Sequence, residues 1–382
     1  MKTIRIGLIG LGSMGQVHLK SMADIEGLEV TAVCDANPKT IESFKGAKFT
    51  DSSELINSGK IDAVIIATPH YFHTPVSIEA LQKGLHVLVE KPIAAHIYDA
   101  QKMITAHKDK SVIFAAMFNQ RTDPMYKKLK DMVDNNELGK ITRVNWIITT
   151  WFRTYAYYAS GGWRATWEGE GGGVLLNQCP HNLDIFQWII GLPSKVTANI
   201  GLGKYHNIEV EDEVTALLEY PDNATGVFIT STGEAPGTDR FEITAEKGKV
   251  VVENRKIIFR HNETETTQYS KTTKDRFGIP PSSVTTEFDF TKDSGEQHVG
   301  IIKNFRDAIL GKAPLIASAE EGLRSLELGN AILLSGILKK PIEIPLDSDF
   351  FYSEFNQLIK NSTFKKGEVI EATDNFANSF SK

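Results

Sequence analysis

The fold of the first part of the chain is decided by the stretch Ile4-Arg5-Ile6-Gly7-Leu8-Ile9-Gly10-Leu11-Gly12-Ser13-Met14-Gly15. Its apolar start predicts a strand, and the three spaced glycines predict a tight turn that opens a helix. Gly10 permits the turn, Gly12 lets a pyrophosphate approach the backbone, and Gly15 allows the helix to pack closely on the strand. The free N–H groups of the helix N-terminus then face the phosphates. This stretch therefore predicts a dinucleotide site.

The segments around this stretch alternate between apolar strands and helical patterns. Strands are predicted at residues 3–9, 28–34, 48–50, 61–68, 85–90 and 112–118. Their runs are apolar on both faces, as in a parallel sheet that has helices on each side. Residues 1–121 are therefore predicted to form a doubly wound Rossmann domain.

A different pattern follows Arg121. Strands with alternating hydrophobicity are predicted at residues 141–151 and through residues 196–291. Helices are predicted at residues 124–135, 180–190, 299–310 and 319–338, and the last two are expected to close this second domain. We predict that residues 122–382 form an α+β domain with a large, mostly antiparallel sheet that holds the substrate. The fold class of the whole chain is then α/β.

The composition narrows the range of partners and compartments. The chain has 382 residues, a net charge of -6 and no block of like charges, which argues against nucleic acid or an anionic membrane as a partner. No apolar run is long enough to cross a membrane, and the N-terminal run is too short and glycine-rich for a signal peptide, so we expect a cytoplasmic protein. Cys34 and Cys179 are expected to be buried free thiols rather than a disulfide. The ten histidines are dispersed and the cysteines have no ligand-spaced partner, so no metal site is predicted.

Asp35 follows the second predicted strand and indicates which dinucleotide is bound. Its carboxylate can accept hydrogen bonds from both adenosine ribose hydroxyls of NAD. A 2′-phosphate at that position would meet a like charge, and residues 36–38 supply no arginine to offset it. The sequence therefore favours NAD over NADP.

Two further segments lie where strands of the predicted sheet end. They are Ala67-Thr68-Pro69-His70-Tyr71-Phe72-His73-Thr74-Pro75 and Glu90-Lys91-Pro92. Ligands of doubly wound folds bind outside the carboxyl ends of the strands. A lysine there is partly desolvated, which lowers its pKa and suits it to proton transfer, although a single strand-end lysine is more often an ordinary surface charge.

Taken together, these residues resemble the Gfo/Idh/MocA family of oxidoreductases. The resemblance covers essentially the whole chain and rests on Gly10–Gly15 with His18, Thr68-Pro69 with His73, Glu90-Lys91-Pro92, Asn119-Gln120-Arg121, Gly171-Gly172-Gly173 and Asn177-Gln178-Cys179-Pro180-His181-Asn182-Leu183-Asp184. It implies hydride transfer between nicotinamide and a ring carbon that carries a hydroxyl, in a sugar or cyclitol. It also implies that Lys91 binds the reacting oxygen, that His181 is the acid/base, and that the Lys91–Pro92 peptide is cis. His18 itself is expected to be a packing residue.

The remaining site residues are expected in two groups. Cofactor contacts are expected from Gly10, Leu11, Gly12, Ser13, Met14, Asp35, Thr68, Pro69, His70, His73, Glu90, Lys91, Asn119 and Gln120. Substrate contacts are expected from Asn177, Asp184, Arg164, Trp163 and Arg121. Many family members have Asp where this chain has Asn177, and because Asn cannot exchange a proton we expect it to orient the substrate or Lys91. Asp184, one helical turn beyond His181, is expected to orient the histidine ring or to bind substrate.

Several alternatives remain open from the sequence. The aromatic stretch at residues 151–167 suits a sugar-stacking surface and a subunit interface equally well. A glycosidase that oxidises its substrate transiently with a retained NAD would have the same site as a dehydrogenase. A non-catalytic dinucleotide sensor would not need Lys91 and His181, and a carbohydrate-binding protein without dinucleotide would leave the glycine turn unexplained. The resemblance further implies a homo-oligomer, a dimer or tetramer, joined through the sheet of the second domain.

Overall fold

The computed structural model describes residues 3–369 and places the first six strands in one sheet. These strands are β1 (Ile4–Ile9), β2 (Leu28–Cys34), β3 (Ala47–Phe49), β4 (Ala63–Ile66), β5 (His86–Val89) and β6 (Phe114–Ala116). They pair in parallel in the order β3-β2-β1-β4-β5-β6, which confirms the predicted Rossmann sheet. The helices between them are α1 (Ser13–Met22), α2 (Ser52–Asn57), α3 (His70–Gln82) and α4 (Ile97–Ala106).

The strand order of this sheet reverses between β1 and β4. The turn after β1 and the loop after β4 therefore lie side by side, and a Cβ atom on Gly10 would be 2.6 Å from the carbonyl oxygen of Ala67. Gly10 also has a φ of +91°, a conformation that side chains rarely adopt. This reversal is the position at which doubly wound sheets bind ligands.

The second sheet has nine strands, all but one pair of them antiparallel. The strands are β7 (Ile141–Ile148), β8 (Lys195–Leu202), β9 (Glu211–Glu219), β10 (Thr225–Ser231), β11 (Asp239–Ala245), β12 (Gly248–Glu253), β13 (Lys256–Asn262), β14 (Ser282–Asp289) and β15 (Ile342–Glu343). Their order is β14-β13-β12-β11-β7-β10-β9-β8-β15, and β7 and β10 form the parallel pair. The large, mostly antiparallel sheet predicted for this part of the chain is confirmed.

One face of this sheet is buried and the other is open. In β9 the side chains of Val214, Ala216 and Leu218 are buried, whereas those of Thr215 and Leu217 between them are exposed. The strict alternation is what a sheet covered on one face requires. The homo-oligomer expected through this sheet stays a prediction.

Helices of the second domain cover the buried face. They are α5 (Pro124–Asp134), α6 (Tyr155–Ala159), α7 (Pro180–Ile190), α10 (Ala319–Leu338) and α11 (Ser348–Asn361). Two further helices, α8 (Thr266–Thr272), which buries no residue, and α9 (Gln297–Ile309), do not belong to this cover. At the centre of the core, the Trp146 ring of β7 stacks on Phe241 of β11 with centroids 4.7 Å apart and also packs on Phe186 of α7. Helices α6, α8 and α11 were not predicted, because their aromatic and threonine-rich sequences favour strands locally.

Helix α9 packs on the first sheet, so the expectation that it closes the second domain is wrong. Its residues Ile301, Ile302 and Phe305 are buried in the cluster that contains Ile6 and Leu8 of β1. A parallel sheet needs cover on both faces, and α9 lies beside α1 to provide it. The domain boundary expected at residue 121 stays a prediction. The first domain is completed by α9, which comes much later in the chain.

Three features of the described residues bear on the class of protein. No helix between residues 3 and 369 is long and apolar enough to cross a membrane. Within the same range, no group of three or more His, Cys, Asp or Glu side chains is arranged to hold a metal ion. Cys34 and Cys179 are buried free thiols, as predicted, and burial raises the pKa of each to about 12.

The packing of α9 on the first sheet predicts a destabilised Phe305→Ala variant. Removing a fully buried phenylalanine leaves a cavity that costs about 3–5 kcal/mol of the free energy of unfolding. Hydrogen exchange followed by mass spectrometry should speed up in β1 and α1 and stay unchanged in β11 and β12. The matched control is Phe277→Ala, because Phe277 is 92% exposed. Equal protection of β1 in both variants would contradict the placement of α9.

Candidate active site

The glycine turn after β1 leaves room for a ligand at one position and none at its neighbours. A Cβ atom on Gly15 would lie 1.9 Å from the carbonyl oxygen of Gly10, so α1 packs directly on the turn. A Cβ atom on Gly12 would meet no protein atom within 4 Å. Gly12 is the N-cap of α1 and no side chain caps the helix. The open backbone at Gly12 and the uncapped helix N-terminus fit the phosphates of a dinucleotide.

Asp35 lies directly beside this turn. One carboxylate oxygen accepts a 2.7 Å hydrogen bond from the backbone N–H of Leu11, and the other accepts a 2.9 Å bond from the N–H of Asn37. The acid is therefore held at the end of β2 with its carboxylate fixed against the turn. An anion in this position suits ribose hydroxyls and repels a ribose phosphate.

Three predicted cofactor residues carry buried polar atoms that lack a protein partner. Thr68 Oγ1, Asn119 Oδ1 and Gln120 Oε1 have no hydrogen-bond partner among residues 3–369. Unsatisfied buried polar atoms are rare in native proteins, because each costs about 1–3 kcal/mol. These three atoms follow β4 and β6 on the side where the strands end, so they too fit a bound dinucleotide.

Glu90 connects the glycine-turn helix to the segment of Lys91. Its Oε1 lies 2.6 Å from Nε2 of His18 in α1, and its Oε2 accepts a 3.0 Å hydrogen bond from the backbone N–H of Lys91. Burial alone would raise the pKa of Glu90, but the hydrogen bond and charge of His18 outweigh it and lower the pKa to about 2. The carboxylate is thus ionised and committed to protein contacts, which favours a structural role over the expected cofactor contact. His18 is a polar partner as well as a packing residue.

Lys91 points from the first domain into the second. Its Nζ donates a 3.0 Å hydrogen bond to the backbone carbonyl oxygen of Asn177. Burial lowers the pKa of Lys91, while the nearby carboxylate of Glu90 opposes that shift. The Lys91–Pro92 peptide is cis, as the resemblance implied.

His181, at the start of α7, lies in the same buried region. Burial lowers its pKa well below the ordinary value, and the positive charge of Lys91 lowers it further. The imidazole is therefore neutral at pH 7. Its Nδ1 is buried without a hydrogen-bond partner in the described part of the chain. A neutral imidazole beside a lysine can accept a proton from a third group placed between them.

Asn177 belongs to a hydrogen-bonded group that surrounds the lysine contact. Its Oδ1 accepts a 3.0 Å hydrogen bond from the Tyr157 hydroxyl, and its Nδ2 donates to the carboxylate of Glu170. Arg164 donates a 2.7 Å bond to the Tyr157 oxygen and lies 3.7 Å from the Glu170 carboxylate. Asn177 therefore contacts Lys91 through its backbone carbonyl and not through its side-chain amide, and its expected role in orienting the substrate or Lys91 stays a prediction.

Two histidines that were predicted to contact the cofactor, His70 and His73, use their ring nitrogens within the protein. The two ring nitrogens of His73 lie 2.9 Å from the carbonyl oxygen of Pro92 and 2.8 Å from that of Thr68. The Nδ1 of His70 lies 3.2 Å from the backbone carbonyl oxygen of Glu170. Burial lowers the pKa of His70 to about 3. These two histidines tie loops together at the domain junction.

Arg121 and Asp184 form a buried ion pair with each other. The two guanidinium nitrogens lie 2.8 Å and 2.7 Å from the two carboxylate oxygens. Gln187 donates a further bond to Asp184. The expected hydrogen bond from Asp184 to the His181 ring is not formed, because the arginine occupies the carboxylate. This pair therefore favours a structural role between the domains.

Two residues of the site, buried Glu170 and half-buried Tyr157, were missed by sequence reasoning. Glu170 accepts hydrogen bonds from Asn177 and from the backbone N–H of Ala165, and burial raises its pKa despite the nearby Arg164. Tyr157 is the centre of the hydrogen-bonded group. Both lie in the aromatic and glycine-rich stretch before Asn177. Glu170 could have been found from the sequence, because a charged residue is unusual inside such a stretch.

Comparison with known proteins bears on both domains. Residues 4–118 match the sequence model described as "Oxidoreductase family, NAD-binding Rossmann fold", and residues 126–251 match the "GFO/IDH/MocA C-terminal domain". The first match agrees with the parallel sheet, the open glycine turn and Asp35. The first domain is thus an NAD-binding Rossmann domain.

Similar proteins are found among characterised dehydrogenases. Myo-inositol 2-dehydrogenase of Thermotoga maritima is 27% identical over 266 residues, which are 66% of this chain and 75% of that protein. Inositol 2-dehydrogenase of Rhizobium meliloti is 25% identical over 358 residues, which are 90% of this chain and 99% of that protein. The WlbA dehydrogenase of Bordetella pertussis, solved with NADH and UDP-GlcNAcA, superimposes with a TM-score of 0.76 at 25% identity and covers 91% of this chain and 100% of its own.

The position of Asp35 predicts how the chain distinguishes NAD from NADP. Replacing Asp35 with Ala removes the charge that repels a 2′-phosphate and the acceptor for ribose hydroxyls, so the ratio of the NADP Kd to the NAD Kd should fall about tenfold or more. The two constants can be measured by titrating tryptophan fluorescence. Asp24→Ala, at an exposed position near the end of α1, is the control. An unchanged ratio in Asp35→Ala would show that another residue selects the cofactor.

Proposed function

The chain belongs to the Gfo/Idh/MocA family of oxidoreductases, and on that premise we propose that it is an NAD-dependent dehydrogenase of a sugar, sugar derivative or cyclitol. The bond that changes is the C–H bond of a ring carbon that carries a secondary hydroxyl. The observation that carries this proposal is that a half-buried lysine, Lys91, lies near enough to a buried neutral histidine, His181, for its charge to lower the pKa of that histidine, at the edge of the NAD-binding domain.

The cofactor is held by the open end of the first sheet. Gly12 and the start of α1 face the phosphates, Asp35 binds the adenosine ribose, and Thr68, Asn119 and Gln120 offer their unpaired oxygens. Bound NAD supplies the nicotinamide carbon that accepts the hydride.

Lys91 binds the oxygen of the reacting hydroxyl. Its Nζ is held by the carbonyl oxygen of Asn177, which leaves two N–H bonds of the ammonium for the substrate. As the C–H bond breaks, negative charge develops on the substrate oxygen. A fixed ammonium at that oxygen stabilises the charge more strongly in a buried site than in water.

His181 takes the hydroxyl proton during oxidation and returns it during reduction. It is neutral before the reaction because burial and the charge of Lys91 lower its pKa. The same two influences make the protonated form unstable, so the proton is readily passed on. The ring of Phe118 lies edge-on to the imidazole at 6.2 Å and limits its movement.

Arg164, Trp163 and Tyr157 form the wall where the rest of the substrate ring binds. The Arg164 guanidinium lies over the Trp163 ring at 4.8 Å and over the Tyr157 ring at 4.4 Å. Its Nε is buried without a hydrogen-bond partner among residues 3–369. An exposed edge of Trp163 beside a free guanidinium N–H suits the C–H face and hydroxyl groups of a sugar or cyclitol.

A panel of sugars, inositols and glycosides with NAD tests the proposal. Purified protein should produce NADH, read by its absorbance, with at least one class of substrate. Lys91→Ala should bind NAD with unchanged affinity and lose more than nine-tenths of kcat, because the ammonium acts mainly on the transition state. If that variant keeps more than a tenth of the wild-type kcat, a loss under about 1.4 kcal/mol, the role given to Lys91 is wrong.

The same panel separates the alternatives. Release of an aglycone without net NADH would indicate a glycosidase that retains its NAD. NAD binding without any turnover of the panel would favour a sensor.

The low pKa of His181 predicts the acid side of the pH profile. Oxidation requires the neutral imidazole, so kcat/KM should stay constant as the pH falls through 6.5 and should decline only at lower pH. The profile of initial rates with the best substrate checks this. Recovery of full activity after return from pH 5 to pH 7.5 is the control against unfolding. A decline centred at or above pH 6.5 would contradict the assignment of His181 as the base.

A further inference from the structure

A groove in the second domain lies next to the candidate active site and has no role in the proposed reaction. Its volume is roughly 350 Å³, and its lining residues are Phe152, Arg153, Thr154, Tyr155, Tyr205, His206 and Gly233. It lies between the segment after β7 and the turn before β9. Arg153 separates the groove from Tyr157, whose hydroxyl bonds to Asn177 in the lysine site.

The Arg153 guanidinium is a cation without a carboxylate partner. Within residues 3–369, no Asp or Glu oxygen lies within ion-pair distance of it, and its NH1 donates to the carbonyl oxygens of Phe152 and Trp151, at 3.0 Å and 3.5 Å. Its plane lies over the Tyr157 ring at 5.1 Å. Arg164, which also lies over that ring, is by contrast paired with Glu170. A half-buried cation with no anion beside it is a place for an anionic ligand.

Two acids near the groove, Asp212 and Glu213, are engaged by other protein groups. Asp212 is fully buried, accepts the backbone N–H groups of Lys204, Tyr205 and His206 at 2.8, 2.8 and 3.1 Å, and lies 3.1 Å from the Nδ1 of His206. Glu213 is paired with Lys204 and accepts a hydrogen bond from the Tyr205 hydroxyl. Neither carboxylate is paired with Arg153, and among the residues that line the groove Arg153 is the only Lys, Arg, Asp or Glu.

The walls of the groove are rigid. Asp212 fixes the turn at residues 204–206, and the Nε2 of His206 lies 2.9 Å from the carbonyl oxygen of Arg153, which joins the two walls. A Cβ atom on Gly233 would lie 2.2 Å from the Tyr205 ring, so the ring is seated directly on the glycine. The Tyr155 hydroxyl donates to the carbonyl oxygen of Tyr205. Such a framework is organised before a ligand arrives.

Aromatic side chains form the open edge of the groove. Tyr155 is 67% exposed and Phe152 is 39% exposed, although both are large and partly apolar. Exposed aromatic rings next to an unpaired arginine are typical of surfaces that stack on a ligand ring while an anionic group meets the guanidinium.

We propose that this groove binds an anionic group, a carboxylate or a phosphate, attached to the ring that the enzyme oxidises. The proposal rests on the proposed function for its orientation, because the ring lies at Lys91 and His181 while its substituent passes Tyr157 to reach Arg153. The substrate is then an acidic sugar derivative rather than a neutral sugar or cyclitol. Burial is the main cause of the lowered pKa of Lys91, and the charge of Arg153 contributes to it, so an anion at Arg153 also supports the ammonium form of Lys91.

Binding measured without turnover tests this proposal. Lys91→Ala protein loaded with NAD is titrated calorimetrically with matched sets, each made of a neutral methyl glycoside, the corresponding uronic acid and the corresponding sugar phosphate. The acid or the phosphate should bind at least tenfold more tightly than its neutral partner, and added salt should reduce the difference. The uronic acid and phosphate members separate the two sources of anion.

Variants then assign the anion to the groove. The preference is the Kd of the neutral member divided by the Kd of the anionic member. In Arg153→Gln this ratio should fall to nearly one, and Arg153→Lys should restore part of it. Arg276→Gln, an exposed arginine in the segment between β13 and β14, should keep the full preference. The proposal is overturned if the Lys91→Ala protein with Arg153 intact binds neutral and anionic members equally well. It is also overturned if the preference for the anionic member survives in Arg153→Gln.

The binding experiment and the NADH assay distinguish failure of the groove proposal from failure of the proposed reaction. If no substrate yields NADH but the anion preference depends on Arg153, the dehydrogenase assignment fails and the groove stands. If NADH forms with neutral substrates as readily as with their acids, the dehydrogenase assignment stands and the groove proposal fails.

Discussion

The hydrogen bonds of the Glu90 carboxylate hold together the parts on which the site depends. A buried carboxylate is strongly destabilising unless it is fully bonded, and Glu90 meets that condition with His18 of α1 and the backbone N–H of Lys91. The helix that begins at the phosphate turn and the lysine at the end of β5 are thereby fixed to one anion. The ring of His298 from α9 packs edge-on to His18 at 5.7 Å, so a third element closes over the same point. The glycine turn and Lys91 are therefore geometrically coupled through a single side chain.

A buried charge pair, Arg121 with Asp184, joins the two domains. It serves their orientation rather than chemistry. Arg121 follows the last strand of the first sheet, and Asp184 lies on α7 one turn beyond His181. Both side chains are almost fully buried. Burying such a pair gains little stability relative to an apolar contact, but separating the partners would leave an unpaired charge inside the protein. The pair thus penalises other relative positions of the domains. It keeps the Asn177 carbonyl oxygen within hydrogen-bond distance of Lys91, which belongs to the other domain.

The sequence predicted what depends on local pattern and missed what depends on distant contacts. Continuous apolar runs gave the six parallel strands, and the predicted bounds of α10 agree with the structure, because both follow from periodicity within a short window. Asp184 was expected at His181, three residues away, but its partner is Arg121, 63 residues away in the chain. The same holds for α9, whose apolar stripe is evident locally while the sheet that it covers is not. Glu170 was missed because its importance comes from Asn177 and Arg164 rather than from its neighbours in sequence.

The return of α9 to the first sheet has a consequence for synthesis of the chain. When β6 has left the ribosome, the whole first sheet is present, yet the side of β1 that Ile301, Ile302 and Phe305 will cover is still bare. Translation from residue 116 to residue 309 takes roughly 10–40 s at the usual rates of elongation. During that interval the nascent Rossmann domain exposes an apolar surface, which is a binding site for chaperones and a point of aggregation. The Rossmann domain is therefore completed only after most of the second domain has been made.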